Sequence, residues 1–374
     1  MGARVFEAHV QDITQEAFTG ALPGDARVDS LIAAAHARYR DHGEGVVADY
    51  IPILSEADPA WFGISLAGAD GVMHSVGDTE ITFSIQSISK AFVFALACDA
   101  RGHEYVHERI GVNNTGLAFN SVVAIELNDG SPMNPMVNAG AIATTALLPG
   151  ATPEERWERV RSGLSRFAGR ELGVDEEVYR SESETNHRNR AIAGLLQSYG
   201  RLEGDPLETV DIYTRQCAIA VTASDLAVMG ATLAAGGVHP VTGERVVSAG
   251  AARDTLAVLA GCGMYERSGE WLFEIGIPAK SGVSGGIVAV VPGKGALGLF
   301  SPPLDSAGTS IRSQRACAYL SRALGLNLFA STPQRGWHAA HPDPAVAAAA
   351  VPLPGPPPGA APHLHPAAQI RKAG

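Results

Sequence analysis

The chain is poor in cysteine, has no long apolar run and carries no excess of positive charge. Only four of its 374 residues are cysteines, at positions 98, 217, 262 and 317. They are too far apart for a paired metal site and predict buried thiols in a reducing compartment. Because no run of about 18 apolar residues occurs, we expect no membrane-spanning helix. The 39 acidic residues against 28 basic ones argue against nucleic acid or an anionic membrane as a partner.

The two ends of the chain differ from its middle. The first residues lack the basic start and apolar core of a signal peptide, so we expect a cytoplasmic protein. From Ser331 onward the sequence holds ten of the 23 prolines and an alanine run at 347–350, a composition that cannot form a packed core. We predict an N-terminal extension over 1–26, a folded catalytic domain over 27–330 and a Pro/Ala-rich disordered tail over 331–374.

Apolar patterning within the folded domain predicts an α+β protein. An amphipathic helix is expected over 28–40, capped by Asp29 or Ser30, and a β-hairpin over 61–67 and 71–76. Residues 81–85 alternate like a strand, and a mainly helical subdomain follows over roughly 91–260. Strands are predicted over 271–277, 286–291 and 295–300, and a closing helix over 311–324. The order predicts one antiparallel sheet from both chain ends, flanked by helices, with the helical subdomain inserted.

The segment Ser87-Ile88-Ser89-Lys90 places a hydroxyl and an amine three residues apart where a strand turns into an apolar helix. Positions i and i+3 share one face of a helix, so Lys90 is expected to point its amine at the Ser87 oxygen. A lysine whose pKa is lowered by a dry setting can take the serine proton and create a nucleophile. The alternative for this common pattern is a solvated helix start, which the apolar flanks disfavour.

The segment Lys280-Ser281-Gly282 follows the first predicted late strand, where a basic residue, a hydroxyl and a glycine can line the edge of a cleft. Ser-x-x-Lys at a helix start, combined with Lys-Ser/Thr-Gly on a strand, is the layout of penicillin-recognising serine enzymes. The two motifs therefore predict a β-lactamase/penicillin-binding-protein-like fold and leave the substrate open. Taken alone, Lys280-Ser281-Gly282 could equally be an ordinary turn.

Five segments together resemble the serine-dependent glutaminases. They are Gln86 to Lys90, the apolar stretch 134–142 with its two asparagines, Cys262-Gly263-Met264-Tyr265, residues 278–283, and residues 301–305. The resemblance covers roughly residues 28–326 in the family's order. It implies the β-lactamase-like fold and hydrolysis of L-glutamine to L-glutamate and ammonia, with no metal or organic cofactor. It also implies a homodimer or homotetramer.

The resemblance also implies a role for single residues. Ser87 matches the nucleophile and Lys90 its base, while Tyr265 is the candidate acid for the leaving ammonia, with Lys90 as competitor. Val283 matches a position that contacts substrate through its backbone, and Tyr50 matches a tyrosine at the pocket mouth. The positions expected to bind substrate are Tyr50, Gln86, Ser87, Asn138, Glu182, Asn189, Tyr213, Tyr265 and Val283.

The binding roles fit the chemistry of free glutamine, and each has a plainer alternative. Glu182 can pair with the α-ammonium group, while Asn138, Asn189 and the tyrosine hydroxyls can donate to the α-carboxylate. Without the resemblance, Asn138 could simply cap the next helix, and Glu182 could belong to a solvated acidic loop. Tyr213 might equally be a core aromatic residue.

Three rival functions remain to be weighed. His103-Glu104-Tyr105-Val106-His107 satisfies the zinc-protease pattern, but it lies in a short segment between glycines and a surface helical turn is the better interpretation. A β-lactam or D-Ala-D-Ala substrate would suit the same fold, yet the nearest fragment, Ser224-Asp225-Leu226, lacks the expected asparagine. The third rival is a ligand-binding member without catalysis.

Overall fold

The computed structural model describes residue 10 and residues 12–331. The described residues up to Ala330 belong to one compact unit. The tail predicted over 331–374 lies outside the described residues apart from Ser331, as do residues 1–9 and 11 of the predicted extension. No helix in the described range is long and apolar enough to cross a membrane.

A five-stranded antiparallel sheet forms the centre of the fold, in the order β2-β1-β7-β6-β5. Two strands come from the first part of the chain and three from the last, so both parts build one sheet, as predicted. The strands are β1 Gly63–Gly68, β2 Met73–Gly77, β5 Ala279–Ser281, β6 Gly286–Val291 and β7 Gly295–Phe300. A separate two-stranded sheet pairs β3 Phe83–Ser84 with β4 Ala220–Val221. The strand predicted over 81–85 is therefore only two residues long.

The strand predicted over 271–277 is wrong, because these residues start within the helix α12, Ser268–Glu274. Large apolar residues alternate there, which resembles a strand. Trp271 and Ile275 are both buried, and their separation of four residues is that of one helical turn. The Ile275 amide donates to the Trp271 carbonyl at 2.8 Å, as in a helix. The first late strand is instead β5, so Lys280 and Ser281 lie within the strand and not after it.

The middle of the chain is mainly helical, as predicted. A 3-10 turn, Gln86–Ile88, leads into α2, and the following helices are joined by loops of which the longest span 110–122, 127–137 and 235–248. The helices of this block are α2 Ser89–Arg101, α3 His103–Arg109, α4 Val123–Glu126, α5 Asn138–Ala146, α6 Pro153–Ala168, α7 Glu176–Thr185, α8 His187–Ser198, α9 Pro206–Cys217, α10 Ala223–Ala234 and α11 Ala249–Cys262. Charged or hydroxyl side chains cap several of them, for example Thr152 on α6 and Asp205 on α9.

Helices α1, Asp25–Tyr39, and α13, Ile311–Ala323, close the fold. The α13 prediction is confirmed to within one residue. The caps predicted for α1 are wrong, since the helix begins at Asp25 behind Gly24 and has no side-chain cap. Asp29 instead accepts a hydrogen bond from the His74 ring on β2 at 2.7 Å.

The sheet separates two apolar cores because successive side chains of a strand point to opposite faces. On β6, Val288 and Val290 belong to the core shared with α2 and α10. Ile287 and Val291 belong to the core shared with α1 and α13. Each fully buried side chain of this kind contributes about 1.5–3 kcal/mol. Gly298 permits close packing of α10, because a Cβ there would lie 2.1 Å from the Ala223 carbonyl oxygen.

Candidate active site

The Ser87 hydroxyl lies at the N-terminal end of a buried helix. The 3-10 turn Gln86–Ile88 follows β3 directly and continues into α2, whose residues from Ser89 to Cys98 are all buried. Gln86 adopts a left-handed φ of 48°, and the Ser89 hydroxyl donates to the Gln86 carbonyl at 2.7 Å. A non-glycine residue at positive φ is uncommon and often marks a functional turn. The turn leaves Ser87 9% exposed, on the wall of a cavity.

Lys90 is almost fully buried one turn further along α2. Its Nζ donates to Asn138 Oδ1 at 2.7 Å and to the Met136 carbonyl at 3.3 Å. Burial lowers the pKa of Lys90 to about 8, because desolvation disfavours the charged amine. Ser87 and Lys90 are three residues apart, as the sequence requires, but within the described residues Lys90 makes no hydrogen bond to the Ser87 hydroxyl. The expectation that Lys90 points its amine at this oxygen is not met.

Asn138 connects Lys90 to a second asparagine. Its Nδ2 donates to Asn189 Oδ1 at 2.9 Å, while its Oδ1 accepts from Lys90. Asn138 is the first residue of α5, and its side chain does not cap that helix. The capping alternative is therefore wrong, and the amide is used inside the cavity. Asn189, on α8, reaches the same cavity wall.

Glu182 is a buried carboxyl group on α7, 7% exposed, so the solvated-loop alternative is wrong. Burial raises the pKa of Glu182 to about 7, although a hydrogen bond from Gln86 and the Lys90 charge oppose this effect. Gln86 Nε2 lies 3.3 Å from Glu182 Oε2. The carboxyl group thus sits in the cavity without an ion-pair partner of close geometry among the described residues.

Tyr265 lies behind the cavity wall, beside Ser87 and Phe119. It begins a 3-10 turn with a left-handed φ of 55°, and its hydroxyl donates to the Ser281 carbonyl at 3.3 Å. Burial raises the pKa of Tyr265 to about 12, while hydrogen bonding with Ser87 and Ser281 opposes the rise. The phenol therefore stays protonated at neutral pH.

The remaining predicted residues lie around the same space. Tyr213 is buried on α9 and lines the cavity, and burial raises the pKa of its phenol well above the usual value. Tyr50 lines the cavity and is 56% exposed, as expected of a residue at its mouth. Val283, in the loop after β5, belongs to the same buried cluster as Ile51.

The cavity has a volume of about 150 Å³, and its wall combines polar side chains with apolar surface. The structure brings seven of the predicted residues into direct contact with it: Tyr50, Gln86, Ser87, Asn138, Glu182, Asn189 and Tyr213. Lys90 reaches it through Asn138, and Tyr265 through Ser87 and Phe119. Such a site can hold a small ligand with a positive group against Glu182 and present a carbonyl to Ser87.

Sequence reasoning missed several residues of the cavity wall. Phe119 packs its ring 4.9 Å from the Tyr265 ring, and Lys90 Nζ lies 5.8 Å from its centroid. Nothing in its loop sequence marks it. Cys217 could have been found, because it follows Tyr213 by four residues on α9 and so shares its helix face. Asn186 and Arg188 lie inside the segment that supplied Glu182 and Asn189.

The zinc-protease pattern forms the seven-residue surface helix α3. His103 Nδ1 lies 2.7 Å from Asp254 Oδ2, and the His103 and His107 rings are parallel with centroids 6.0 Å apart. No group of three His, Cys, Asp or Glu side chains arranged to hold a metal is found in the part of the chain that the structure describes.

Comparison with known proteins gives consistent matches. The profile of the family described as Glutaminase matches residues 45–329. "Glutaminase 2" of Yersinia pestis is 54% identical over 315 residues, which cover 84% of this chain and 93% of the relative. "Glutaminase" of Colwellia psychrerythraea is 49% identical, covering 82% and 99%. Among solved structures, "Probable glutaminase ybaS" matches with a TM-score of 0.81 at 43% identity, covering 82% of this chain and 99% of that one. "Mglu in its glutamate form" matches with a TM-score of 0.78 at 42% identity, covering 82% and 71%.

Proposed function

This chain belongs to the serine-dependent glutaminase family of β-lactamase-like fold, and on that premise we propose that it hydrolyses L-glutamine through a glutamyl ester of Ser87. The products are L-glutamate and ammonia. The observation that carries the proposal is the buried Lys90 amine with lowered pKa, one turn from Ser87 and hydrogen-bonded to Asn138, which lines a cavity together with the buried Glu182 carboxyl group.

Substrate binding uses the polar side chains that line the cavity. The α-ammonium group of glutamine pairs with Glu182, whose carboxyl group accepts a hydrogen bond from Gln86 alone among the described residues. Asn138, Asn189 and the Tyr213 hydroxyl face the same space and supply donors for the α-carboxylate. The side-chain amide then points toward Ser87 at the cavity wall.

Acylation begins when Lys90 takes the Ser87 proton. With a pKa near 8, a fraction of Lys90 is neutral at physiological pH and can accept it once the side chain turns from Asn138 toward Ser87. The Ser87 oxygen attacks the γ-carbon, and the amides of Ser87 and Val283 receive the oxyanion. Neither amide donates to a carbonyl or side chain within the described residues, which supports this role.

Release of ammonia requires a proton on the leaving nitrogen. Tyr265 is our candidate donor, because its phenol is protonated and lies beside Ser87. Lys90, protonated in the first step, is the competitor and can restore the tyrosine proton. Water then cleaves the ester: its oxygen joins the glutamyl carbon, and its proton returns Ser87 to the hydroxyl form.

The deciding experiment compares ammonia release from L-glutamine, L-asparagine and a chromogenic cephalosporin. We expect turnover of L-glutamine to exceed that of the other two, and cephalosporin as the preferred substrate would contradict the proposal. Ser87→Ala should abolish turnover without unfolding the protein. The matched control is Ser198→Ala, a surface serine at the end of α8, which should keep full activity. A glutamyl adduct on the Ser87 peptide in rapidly quenched enzyme would support the ester.

Other expectations remain predictions that need separate measurements. These are the catalytic domain over 27–330, the cytoplasmic location, and the homodimer or homotetramer. Sedimentation of the purified protein tests the oligomeric state. A non-catalytic binding protein would bind glutamine in calorimetry and release no ammonia.

A further inference from the structure

Lys280 is a second buried amine at the site, and the mechanism above does not use it. It lies in β5 with no exposed surface, and no carboxylate pairs with it among the described ion pairs. Burial and the neighbouring Lys90 amine hold the pKa of Lys280 well below its usual value. A buried, unpaired lysine costs stability, so a fold that retains one at this place calls for a functional account.

The contacts of Lys280 converge on Tyr265. Lys280 Nζ lies 4.1 Å from the centroid of the Tyr265 ring, over its face. The same Nζ donates to the Ser281 carbonyl at 2.8 Å, and the Tyr265 hydroxyl donates to that carbonyl at 3.3 Å. Tyr265 thus has its ring and its hydroxyl fixed by one side chain and one shared acceptor. Tyr265 also has a left-handed backbone conformation, which is uncommon for a residue other than glycine.

We propose that Lys280 is a positioning residue that holds the Tyr265 phenol beside Ser87, so that Tyr265 can deliver its proton to the departing ammonia. The inference rests on the proposed function and deepens it. Lys280 acts through Tyr265 and touches no substrate. Its removal should therefore slow the chemical step and leave substrate binding, which depends on Glu182 and the asparagines, nearly unchanged.

The chain offers a matched control in Lys294. This lysine is also buried, also donates to a backbone carbonyl, that of Gly325 at 2.8 Å, and also lies over an aromatic ring, Phe18, at 4.4 Å. It lies at the turn between β6 and β7 and does not line the cavity. A purely structural role for Lys280 would make the two lysines equivalent in any activity assay.

The test measures kcat and KM for L-glutamine in Lys280→Met, Tyr265→Phe, the double variant and Lys294→Met. We expect Lys280→Met to lower kcat by roughly 10- to 100-fold with KM within about twofold. In the Tyr265→Phe background the same change should add no further loss, because the hydroxyl that it positions is already absent. Lys294→Met should keep the wild-type kcat.

Folding and rescue are checked in parallel. Methionine fills the space of the lysine stem without a buried amine, so the thermal midpoint of Lys280→Met should not fall below that of the wild type. Lys280→Gln keeps a donor for the Ser281 carbonyl and should retain more of the kcat than Lys280→Met. If the double variant loses as much kcat as the product of the two single losses, the positioning role of Lys280 is overturned. Equal kcat for Lys280→Gln and Lys280→Met would overturn it as well. Neither result would contradict the proposed hydrolysis of glutamine. Wild-type protein that releases no ammonia from glutamine would overturn both proposals.

Discussion

One buried arginine and two buried lysines of this protein differ in how completely their hydrogen-bond donors are used. Arg312 on α13 is 3% exposed, and its guanidinium donates to one hydroxyl and four backbone carbonyls: Ser301 Oγ and the carbonyls of Arg40, Pro59, Ala60 and Trp61. Lys90 has two acceptors and Lys280 has one. Arg312 therefore remains a charged structural link between α13 and the loop before β1. The two lysine amines are buried with few acceptors, which lowers their pKa values and lets them lose their protons.

Lys90→Met should have the largest effect and would show that this amine serves chemistry and not stability. We expect ammonia release to fall by about 10³- to 10⁴-fold, since the base for Ser87 is gone. The free energy of unfolding should be unchanged or higher, because a buried amine has been replaced by an apolar side chain of similar length. Steady-state assays and urea unfolding measure the two quantities, with Lys294→Met as control. Loss of stability together with retained turnover would reverse the comparison.

Arg312→Met should give the opposite result. Five acceptors lose their donor, among them the buried Ser301 hydroxyl, and we expect the free energy of unfolding to fall by about 3–5 kcal/mol. The folded fraction should keep the wild-type KM for glutamine, because Arg312 lies away from the cavity. Exposed Arg253→Met is the control and should change stability by less than about 0.5 kcal/mol. An intact stability for Arg312→Met would mean that its hydrogen bonds are not needed.

The pH dependence of kcat/KM tests whether Lys90 loses its proton near neutral pH, with a smaller expected effect than the substitutions above. Lys90 must be neutral to accept a proton, so activity should rise about tenfold per pH unit up to its pKa near 8. Glu182 must be ionised to bind the ammonium group, so the slope should steepen below its pKa near 7. In Glu182→Gln only the Lys90 limb should remain, at lower activity. A profile that is flat between pH 6 and 8 would contradict a neutral Lys90 as base.

The lowered pKa of Lys90 also determines whether the stability of the fold rises or falls with pH. Its folded-state pKa is lowered, so between about pH 8 and the ordinary lysine value the unfolded chain binds more protons than the folded one. The Lys90 contribution therefore makes folding more favourable as pH rises through this window. Chemical unfolding of wild type and Lys90→Met from pH 7 to pH 10 measures the difference, which should shrink with rising pH.

The smallest effect is expected at Tyr213, where one hydroxyl among several donors is removed. Tyr213→Phe should raise KM about 2- to 10-fold with little change in kcat, the size of one hydrogen bond. Tyr319→Phe, a buried tyrosine on α13 outside the cavity, should leave both constants unchanged. An unchanged KM in Tyr213→Phe would mean that the Tyr213 hydroxyl does not bind substrate and that the residue only packs in the core.

Local patterns predicted the hairpin β1–β2, the two strands of 286–300 and helix α13, because each is a continuous apolar or amphipathic stretch and turns separate the strands. They failed at 271–277, where the contacts between Trp271 and Ile275 override an apparent alternation. For the site, Ser87, Lys90 and Lys280 carry motifs, whereas Glu182 and Asn138 needed the family resemblance. Phe119 has neither a period nor a motif, and only tertiary packing brings it between Lys90 and Tyr265.

The pairing of β1 with β7 has a consequence for synthesis on the ribosome. Gly63 pairs with Phe300, so the central strand pair joins residues that emerge far apart in time. The helices between them can form from local contacts. The edge of β1 that pairs with β7 has no partner until the last strands have been translated. A nascent chain stalled before β6 should therefore expose the apolar faces of β1 and α10 and depend on chaperones. We expect the nascent chain to become resistant to protease only when it is long enough for α13 to have left the exit tunnel.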